Sequence, residues 1–291
     1  MDNYIKNKYD FVFLYDVKDG NPNGDPDFDN QPRMDFETRE GLVSDVCIKR
    51  KVRNYIQLKV EAGDLDATKY DIFIRQGNIL NEIIHDGKEK AKGDEKKGRM
   101  DMCDRYYDIR TFGAVMSTGD SLGVVRGPVQ FVFSRSIDSI DSRTHSLTRC
   151  CVVDKADTTT FGNKSTVSYG LYRMHGYISA FDGEKCHFTE DDLALLWDAL
   201  MNAFEHDHSA ARGEMNARAL IIFKHNSKLG NARSAQLFDL VKIEKVKDSN
   251  GETILYPRQF EDYKVTVNGK ELSPIDDYMK IQDGITMKVL I

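Results

Sequence analysis

The order in which strand-like and helix-like segments follow one another limits the fold more than any other feature of this sequence. Runs of aromatic and β-branched residues predict strands, and apolar residues spaced three and four apart predict helices. The first strand, residues 9–17, ends at the turn sequence DGNP. The predicted order is strand, helix, strand, strand, helix, strand, over residues 9–17, 38–60, 123–136, 169–181, 190–204 and 218–224.

This order predicts an α+β fold, the β-α-β-β-α-β unit of ferredoxin-like proteins and RNA-recognition motifs, with two large insertions. Residues 64–120 are irregular, with a helix near 78–86 and a Lys-rich, Gly-interrupted stretch, 88–99, predicted to be a mobile loop. Residues 142–168 are polar and basic and are expected to project as a hairpin. Further strands and turns follow from about Gln236. The length of 291 residues suits one large domain with insertions or two small domains.

The charge is unevenly distributed along the chain. The formal net charge of -6 argues against a generic nucleic-acid binder, which is usually basic. Residues 39–59 nevertheless carry six basic and two acidic side chains, whereas residues 1–30 carry seven aspartates and three lysines, and 188–214 carry seven acids and one arginine. Separate basic and acidic faces suit head-to-tail self-association beside a polyanion, and solvated surfaces are the alternative interpretation.

The first predicted helix carries the basic cluster. A rotation of 100° per residue places Lys49, Arg50 and Arg53 on one broad face, roughly opposite Ile48 and Tyr55. Such a helix can pack against a core and bind phosphates through charge alone. A basic, solvated helix face is common in proteins of every function, so this pattern by itself leaves RNA binding open.

The predicted strand over 123–136 resembles only faintly the signature that RNA-recognition motifs carry on their third strand. It reads RGPVQFVF from Arg126, and Pro128 and Gln130 stand where the signature has stacking aromatics. We therefore expect a related sheet that does not recognise bases by stacking them on its surface.

Other candidate sites are weaker. Residues 25–29 suggest a calcium loop, but Asn30 and Phe36 occupy the positions of the required glycine and glutamate, so a polar turn with Asx hydrogen bonds is predicted. Residues 206–208, His-Asp-His, have no identifiable partner ligands, and we predict no metal and no cofactor. His145 or His175 is a candidate general base for RNA cleavage.

Five cysteines without a CxxC spacing are expected to be reduced thiols in the cytoplasm. The apolar run 11–15 is too short for a signal peptide or a membrane span, so the sequence predicts no membrane association.

Several motifs, in order along most of the chain, resemble one family closely. They are NPNGDP at 21–26, PR at 32–33, GLVSDVCIKRKVRNY at 41–55, RTFGAVMSTG at 110–119, VRGPVQ at 125–130, YGLYR at 169–173, HG at 175–176, SAARGEM at 209–215 and GNA at 230–232. They resemble the Cas-seven family of CRISPR-associated proteins (Csd-two type), the backbone subunit of the type I-C Cascade complex.

The resemblance implies a single domain, residues 1–291, with a hand-like, modified RNA-recognition-motif palm. Residues 64–120 are then a finger-like insertion and 142–168 a thumb-like hairpin. It also implies a helical filament of copies on the guide crRNA, which reads target DNA by base pairing in antiviral defence. Further implied partners are Cas-five and Cas-eight type subunits and the small subunit.

The family match implies a set of RNA-binding residues and no catalytic residue. The thumb reads FGNK at 161–164, where the family is expected to be more basic. The predicted RNA-binding residues are Arg33, Lys49, Arg50, Lys51, Arg53, Arg110, Arg126, Arg143, Arg149, Lys164, Arg173 and His175.

Two alternatives belong to other functional classes. Relatives in the same broad superfamily are endoribonucleases acting on CRISPR RNA or target RNA, but the type I-C resemblance assigns guide processing to another subunit. A pure protein scaffold is the third possibility.

Overall fold

A computed structural model describes residues 3–152 and 161–291. The helices are α1 Asp45–Glu61, α2 Ala67–Tyr70, α3 Leu80–Lys90, α4 Glu95–Arg105, α5 Tyr107–Phe112, α6 Ala180–Lys185, α7 Glu190–Met201 and α8 Ser234–Phe238. The strands are β1 Tyr9–Gly20, β2 Gly24–Asp25, β3 Gln31–Pro32, β4 Glu40–Val43, β5 Gly113–Met116, β6 Gly123–Arg126, β7 Val129–Phe131, β8 Ser134–Ser139, β9 Ser142–Thr148, β10 Phe161–Ile178, β11 Glu214–His225, β12 Val241–Lys245, β13 Tyr263–Val267, β14 Lys270–Glu271, β15 Ile275–Gln282 and β16 Ile285–Leu290.

An antiparallel sheet forms the centre of this mixed α+β molecule. Across the sheet the order is β15-β16-β11-β1-β10-β8-β4, and β7 and β9 also pair with β10. The central strand β1 places Phe11 opposite Gly176 of β10 on one side and opposite Ile222 of β11 on the other. The aromatic run that predicts the first strand therefore lies in the middle of the sheet.

One face of the sheet is covered by α1 and α7. Because successive side chains of a strand point to opposite faces, Phe11, Phe13 and Tyr15 all lie on this side. They form the main core with side chains from the two helices: Ile48, Val52 and Ile56 from α1, and Leu193, Leu196, Trp197 and Leu200 from α7.

The other face is covered by the C-terminal part of the chain. Val12 and Leu14 of β1 pack there in a second core with Phe238 of α8, Val241 of β12 and Val265 of β13. The centre of the sheet is therefore covered on both sides. Side chains of β1 that point to either face, such as Phe11 and Val12, are fully buried.

Residues 67–126 form a mostly helical lobe with its own small core, which includes Phe73, Met102, Tyr106 and Leu122. The mobile loop predicted over 88–99 is wrong, because α3 continues to Lys90 and α4 begins at Glu95. Asp94 caps α4 by accepting hydrogen bonds from the backbone N–H groups of Lys96 and Lys97 at 3.0 and 3.1 Å. The sequence pattern does not predict these helices, because the segment is rich in charged residues and its helices make few apolar contacts.

Some predicted boundaries also change. The helix expected over 38–60 begins only at Asp45, since residues 40–43 pair with β8 as a strand. The strand expected over 123–136 is three strands, β6, β7 and β8. The helix expected over 190–204 is present as α7, which starts as predicted and ends three residues earlier, at Met201, and Thr189 and Asp192 form its capping box. No helix of the described segments is both long and apolar enough to span a bilayer.

The polar stretch expected to project as a hairpin contains paired strands. β9 pairs with the beginning of β10, with Arg143 opposite Thr166 and His145 opposite Lys164. Residues 153–160, which belong to the same predicted hairpin, lie outside the described residues.

Candidate nucleic-acid interface

Helix α1 carries four of the twelve predicted RNA-binding residues, Lys49, Arg50, Lys51 and Arg53. It begins after Ser44, whose hydroxyl and backbone N–H both donate to Asn23 Oδ1, at 3.0 and 2.9 Å. Ile48, Val52 and Ile56, spaced by four, are fully buried. This apolar stripe fixes the rotation of the helix and leaves the basic side chains on its flanks and crest.

One flank of α1 carries Lys49 and Arg53. Lys49 Nζ lies 3.0 Å from Asp45 Oδ2, and Arg53 Nε donates to Asp108 Oδ2 at 2.7 Å. Both cations lie over the ring of Phe112, at 5.6 and 5.4 Å from its centroid. Asp108 is buried and also accepts two backbone N–H groups, from residues 73 and 74. The charge of this flank is therefore partly neutralised within the chain.

The other flank carries Lys51. This side chain is buried and pairs with Asp207, which also lies 3.2 Å from Nε of Arg212. Lys51 thus joins α1 to the segment between α7 and β11. Arg212 was absent from the predicted site, although it lies in the SAARGEM motif at 209–215, and that motif is the signal by which it could have been included.

The crest of α1 between these flanks is occupied by Arg50. Its side chain is exposed, and within the described part of the chain no ion pair or hydrogen bond involves its guanidinium. Of the four basic residues in the cluster, Arg50 is the one whose full charge and donors face solvent.

Arg33 and Arg126 lie on two other segments that are close to the first half of α1. Arg33 donates its backbone N–H to Asn23, the residue that also holds Ser44, and its guanidinium pairs with Asp25 at 3.3 Å. Arg126 is 81% exposed, stands opposite Gly113 in the β5–β6 pair, and lies 3.6 Å from Asp182. Since Phe112 precedes Gly113 and contacts Lys49 and Arg53, the backbone at Arg126 is close to that flank of α1.

The Asp-rich turn at 25–29 is a polar turn, as predicted, because Asp25 Oδ1 accepts the backbone N–H of Asp27 at 3.2 Å.

Arg110 lies inside the protein. Its Nη2 and Nε donate to Asp192 Oδ1 at 2.7 and 3.0 Å, and its guanidinium lies over the rings of Tyr70 and Tyr107. Nη1 donates to the carbonyl of Lys69. Arg110 joins α5 to the first turn of α7, and all of its nitrogens bond to protein groups.

Arg173 and His175 lie on the face of the sheet away from α1. Arg173 donates to the carbonyls of Phe238 and Val241, at 2.6 and 3.1 Å, and to His175 Nε2 at 2.8 Å. The imidazole of His175 stacks on Phe238 with a centroid distance of 4.0 Å. Burial, with the nearby Arg173 charge, lowers the pKa of His175 to about 4. The pair holds α8 and β12 against the sheet.

The hairpin contributes a second group of cations, separate from α1. Arg143 is 60% exposed and its Nε lies 2.7 Å from Asp141 Oδ2. Arg149 is exposed and donates to the carbonyl of Cys151 at 2.8 Å, and Lys164 is half-buried. β3 contacts both β9 and β10, so the root of the hairpin adjoins the segment that leads to Arg33.

The histidines do not form a metal-binding cluster in the described residues. There, no group of three or more His, Cys, Asp or Glu side chains is placed to hold a metal ion. Asp207 of the His-Asp-His sequence is occupied by Lys51 and Arg212, and His145 lies 3.3 Å from the hydroxyl of Thr166.

A covered antiparallel sheet, a helix with a cluster of four basic side chains and a paired hairpin with further cations define a mixed α+β protein that has two separate basic surfaces. The family model for CRISPR-associated protein Cas7 matches residues 7–268. The chain belongs to this family.

A curated relative, the CRISPR-associated protein Cas7 of Haloferax volcanii, is 24% identical over 263 residues, covering 81% of this chain and 75% of the relative. A solved chain of a CRISPR RNA-guided surveillance complex in a pre-nicking state aligns with 74% of this chain and 75% of its own, at 15% identity and a TM-score of 0.48. A chain of another CRISPR RNA-guided surveillance complex aligns with 73% of this chain and 68% of its own, at 14% identity and a TM-score of 0.40.

Proposed function

We propose that this protein is a non-catalytic crRNA-binding backbone subunit of a type I-C Cascade complex. Copies of it polymerise along the guide, which recognises target DNA by base pairing. Cas-five and Cas-eight type subunits and the small subunit complete the complex. The observation that carries the proposal is the match to the Cas7 family over residues 7–268.

The strand order supports a modified RNA-recognition-motif palm. The four strands of a β-α-β-β-α-β unit would be β1, β8, β10 and β11, in chain order. In the sheet they lie in the order β11-β1-β10-β8, so the fourth strand is beside the first and the third strand is between the first and the second. α1 precedes β8 along the chain, and α7 connects β10 with β11. Residues 64–120 and 142–168 then correspond to the finger-like and thumb-like insertions.

Contacts divide the predicted RNA-binding residues into two groups. We propose that cations with solvent-facing donors bind guide phosphates directly. They are the exposed Arg50, Arg126, Arg143 and Arg149 and the partly buried Arg33, Lys49 and Lys164. Phosphate binding requires donors that face solvent, and these residues retain them. Lys51, Arg53, Arg110, Arg173 and His175 act indirectly, because their polar groups hold elements of the fold together.

The histidine contacts support a non-catalytic role. A general base is most effective with a pKa near the working pH, whereas burial and Arg173 hold the pKa of His175 at about 4. The neighbouring Arg173 also donates to its Nε2.

Purification of the whole complex with charge-reversed variants tests the proposal. Arg50→Glu combined with Arg126→Glu is expected to abolish co-purifying guide RNA, seen as loss of absorbance at 260 nm, and to prevent filament assembly. The matched control is Lys242→Glu combined with Lys264→Glu, which changes two exposed cations on β12 and β13. It should retain both the guide RNA and filament assembly. Equal RNA content in the two double variants contradicts the proposed interface.

A cleavage assay separates the backbone role from an endoribonuclease. The purified protein is incubated with CRISPR repeat RNA and with guide-complementary RNA, with and without magnesium. We expect intact RNA in every reaction. Products that disappear in His145→Ala or His175→Ala would establish catalysis instead.

A further inference from the structure

A cleft of about 480 Å³ lies at the root of the β9–β10 hairpin, on the face of the sheet away from α1. The hairpin side of the cleft includes Asp138 and Arg143, and Tyr169 lies at its sheet side. Lys245 of β12 and the loop that carries Tyr256 and Arg258 supply the rest. None of these residues except Arg143 belongs to the predicted RNA-binding set.

The acidic groups of the cleft are already paired. Asp138 accepts hydrogen bonds from Lys245 Nζ and Tyr263 Oη, both at 2.8 Å. Asp141 pairs with Arg143 Nε at 2.7 Å. The side chain of Arg258 is exposed and has no carboxylate within ion-pair distance in residues 3–152 and 161–291. The cleft therefore keeps one uncompensated positive charge.

The rim presents a large aromatic surface to water. Tyr256 is 76% exposed and its neighbour Leu255 is 72% exposed. Their loop is anchored on both sides, because Asp262 accepts the backbone N–H of Arg258 at 2.7 Å and Lys245 Nζ lies 3.5 Å from the Leu255 carbonyl. Because the backbone of the loop is already held, less of its conformational freedom is lost when a flat ligand stacks on the Tyr256 ring.

We propose that this cleft binds one nucleotide of a single-stranded nucleic acid, with its base on Tyr256 and its phosphate at Arg258 and Arg143. Aromatic side chains beside cationic ones are the usual means of holding single strands without reading sequence. The hydroxyls of Ser139 and Ser168, which also line the cleft, face the sugar or the base edge. The site is separate from the α1 surface and does not depend on it.

Binding of short oligonucleotides to the full chain, freed of co-purifying RNA in high salt, tests the proposal. Fluorescence anisotropy with labelled tetrauridylate and tetrathymidylate measures the affinity for RNA and DNA separately. Tyr256→Ala and Arg258→Gln are each expected to weaken binding about tenfold. Tyr256→Phe keeps the ring and should bind as the wild type does. Tighter binding of one oligonucleotide would identify whether RNA or DNA occupies the cleft.

Lys242→Gln is the matched control for Arg258→Gln, because it removes one exposed positive charge from the same part of the molecule. Unchanged affinity in both cleft variants, or an equal loss in Lys242→Gln, overturns the proposal. A third outcome also overturns it: neither oligonucleotide binds, and the cleft variants lose another protein subunit from the complex. The cleft would then be a protein interface.

Photocrosslinking the wild-type chain to a 4-thiouridine oligonucleotide is independent of any variant. The crosslinked peptide is expected to contain residues 255–258, and its absence there contradicts the site. The crosslink should persist in Arg50→Glu, so failure of the α1 interface and failure of the cleft give different results.

Discussion

The Arg53 guanidinium of α1 donates from Nε to Oδ2 of Asp108 at 2.7 Å, and Asp108 is 1% exposed. A residue of the basic cluster thus compensates a buried carboxylate instead of presenting a free charge. Arg50, three positions earlier, has no such partner in the described chain. We therefore assign RNA binding to Arg50 and stabilisation of the fold to Arg53, although both lie on α1.

Arg50→Gln and Arg53→Gln are therefore expected to behave differently. Arg50→Gln should change the free energy of unfolding by less than about 0.5 kcal/mol. It should weaken guide binding and reduce the dependence of log affinity on log salt by about 0.7 for each phosphate that the variant no longer neutralises. Arg53→Gln should lower the unfolding free energy by about 3 kcal/mol, because Asp108 stays buried without its cation. Urea unfolding and salt-dependent binding measure the two effects, and equal stabilities would contradict this assignment.

Arg110→Leu is expected to lower the free energy of unfolding by about 3–5 kcal/mol, since it leaves Asp192 buried without a cation. The Asp192 carboxylate also accepts the Thr189 backbone N–H at 2.9 Å, so the start of α7 should be affected first. Hydrogen exchange should show faster exchange of the backbone amides of α7. RNA affinity is then measured at a temperature where the variant is fully folded. Unchanged affinity supports an indirect role. A loss of affinity as large as that of Arg50→Gln indicates that Arg110 contacts RNA directly.

The stability contributed by a neutral His175 is expected to depend on pH. Burial and Arg173 lower its pKa to about 4 in the folded protein, against about 6.5 for an unfolded chain. The folded state therefore binds fewer protons. This contribution is fully present above pH 6.5 and is lost as the pH falls towards 4, by about 1–2 kcal/mol at pH 5.

Urea unfolding of the wild type and of His175→Gln at pH 7 and pH 5 isolates this contribution from the other acid-sensitive groups. The wild type should lose about 1–2 kcal/mol more than the variant on acidification. An equal loss in the two proteins would show that His175 does not titrate in this way.

Gly176→Ala is expected to destabilise the centre of the sheet. A Cβ at this position would lie 2.0 Å from the Phe11 ring, in a core covered by helices. Overpacking of this kind costs about 3 kcal/mol. Gly162→Ala, in the hairpin part of the same strand, has no atom within 4 Å of its added carbon and is the control. Thermal unfolding should show a large decrease in Tm for the first variant and almost none for the second.

The sequence predicted those helices and strands whose formation depends on residues close together in the chain. The aromatic run gives β1, the apolar residues spaced by four give the buried stripe of α1, and Thr189 with the following acids gives the start of α7. Residues 88–99 were mispredicted because their helices bury few apolar side chains, so their hydrophobic pattern is too weak to detect against the charge.

The sequence by itself determined the family, the β1, α1 and α7 elements, and which side chains carry positive charge. Only the tertiary structure decided which of those charges are free. Lys51 meets Asp207, which is 156 positions away, and Arg110 meets Asp192, 82 positions away. No local periodicity encodes such pairs, because they form only when α1, α5 and α7 pack together on the sheet. The same packing leaves Arg50 facing solvent and places Tyr256 and Arg258 beside the hairpin.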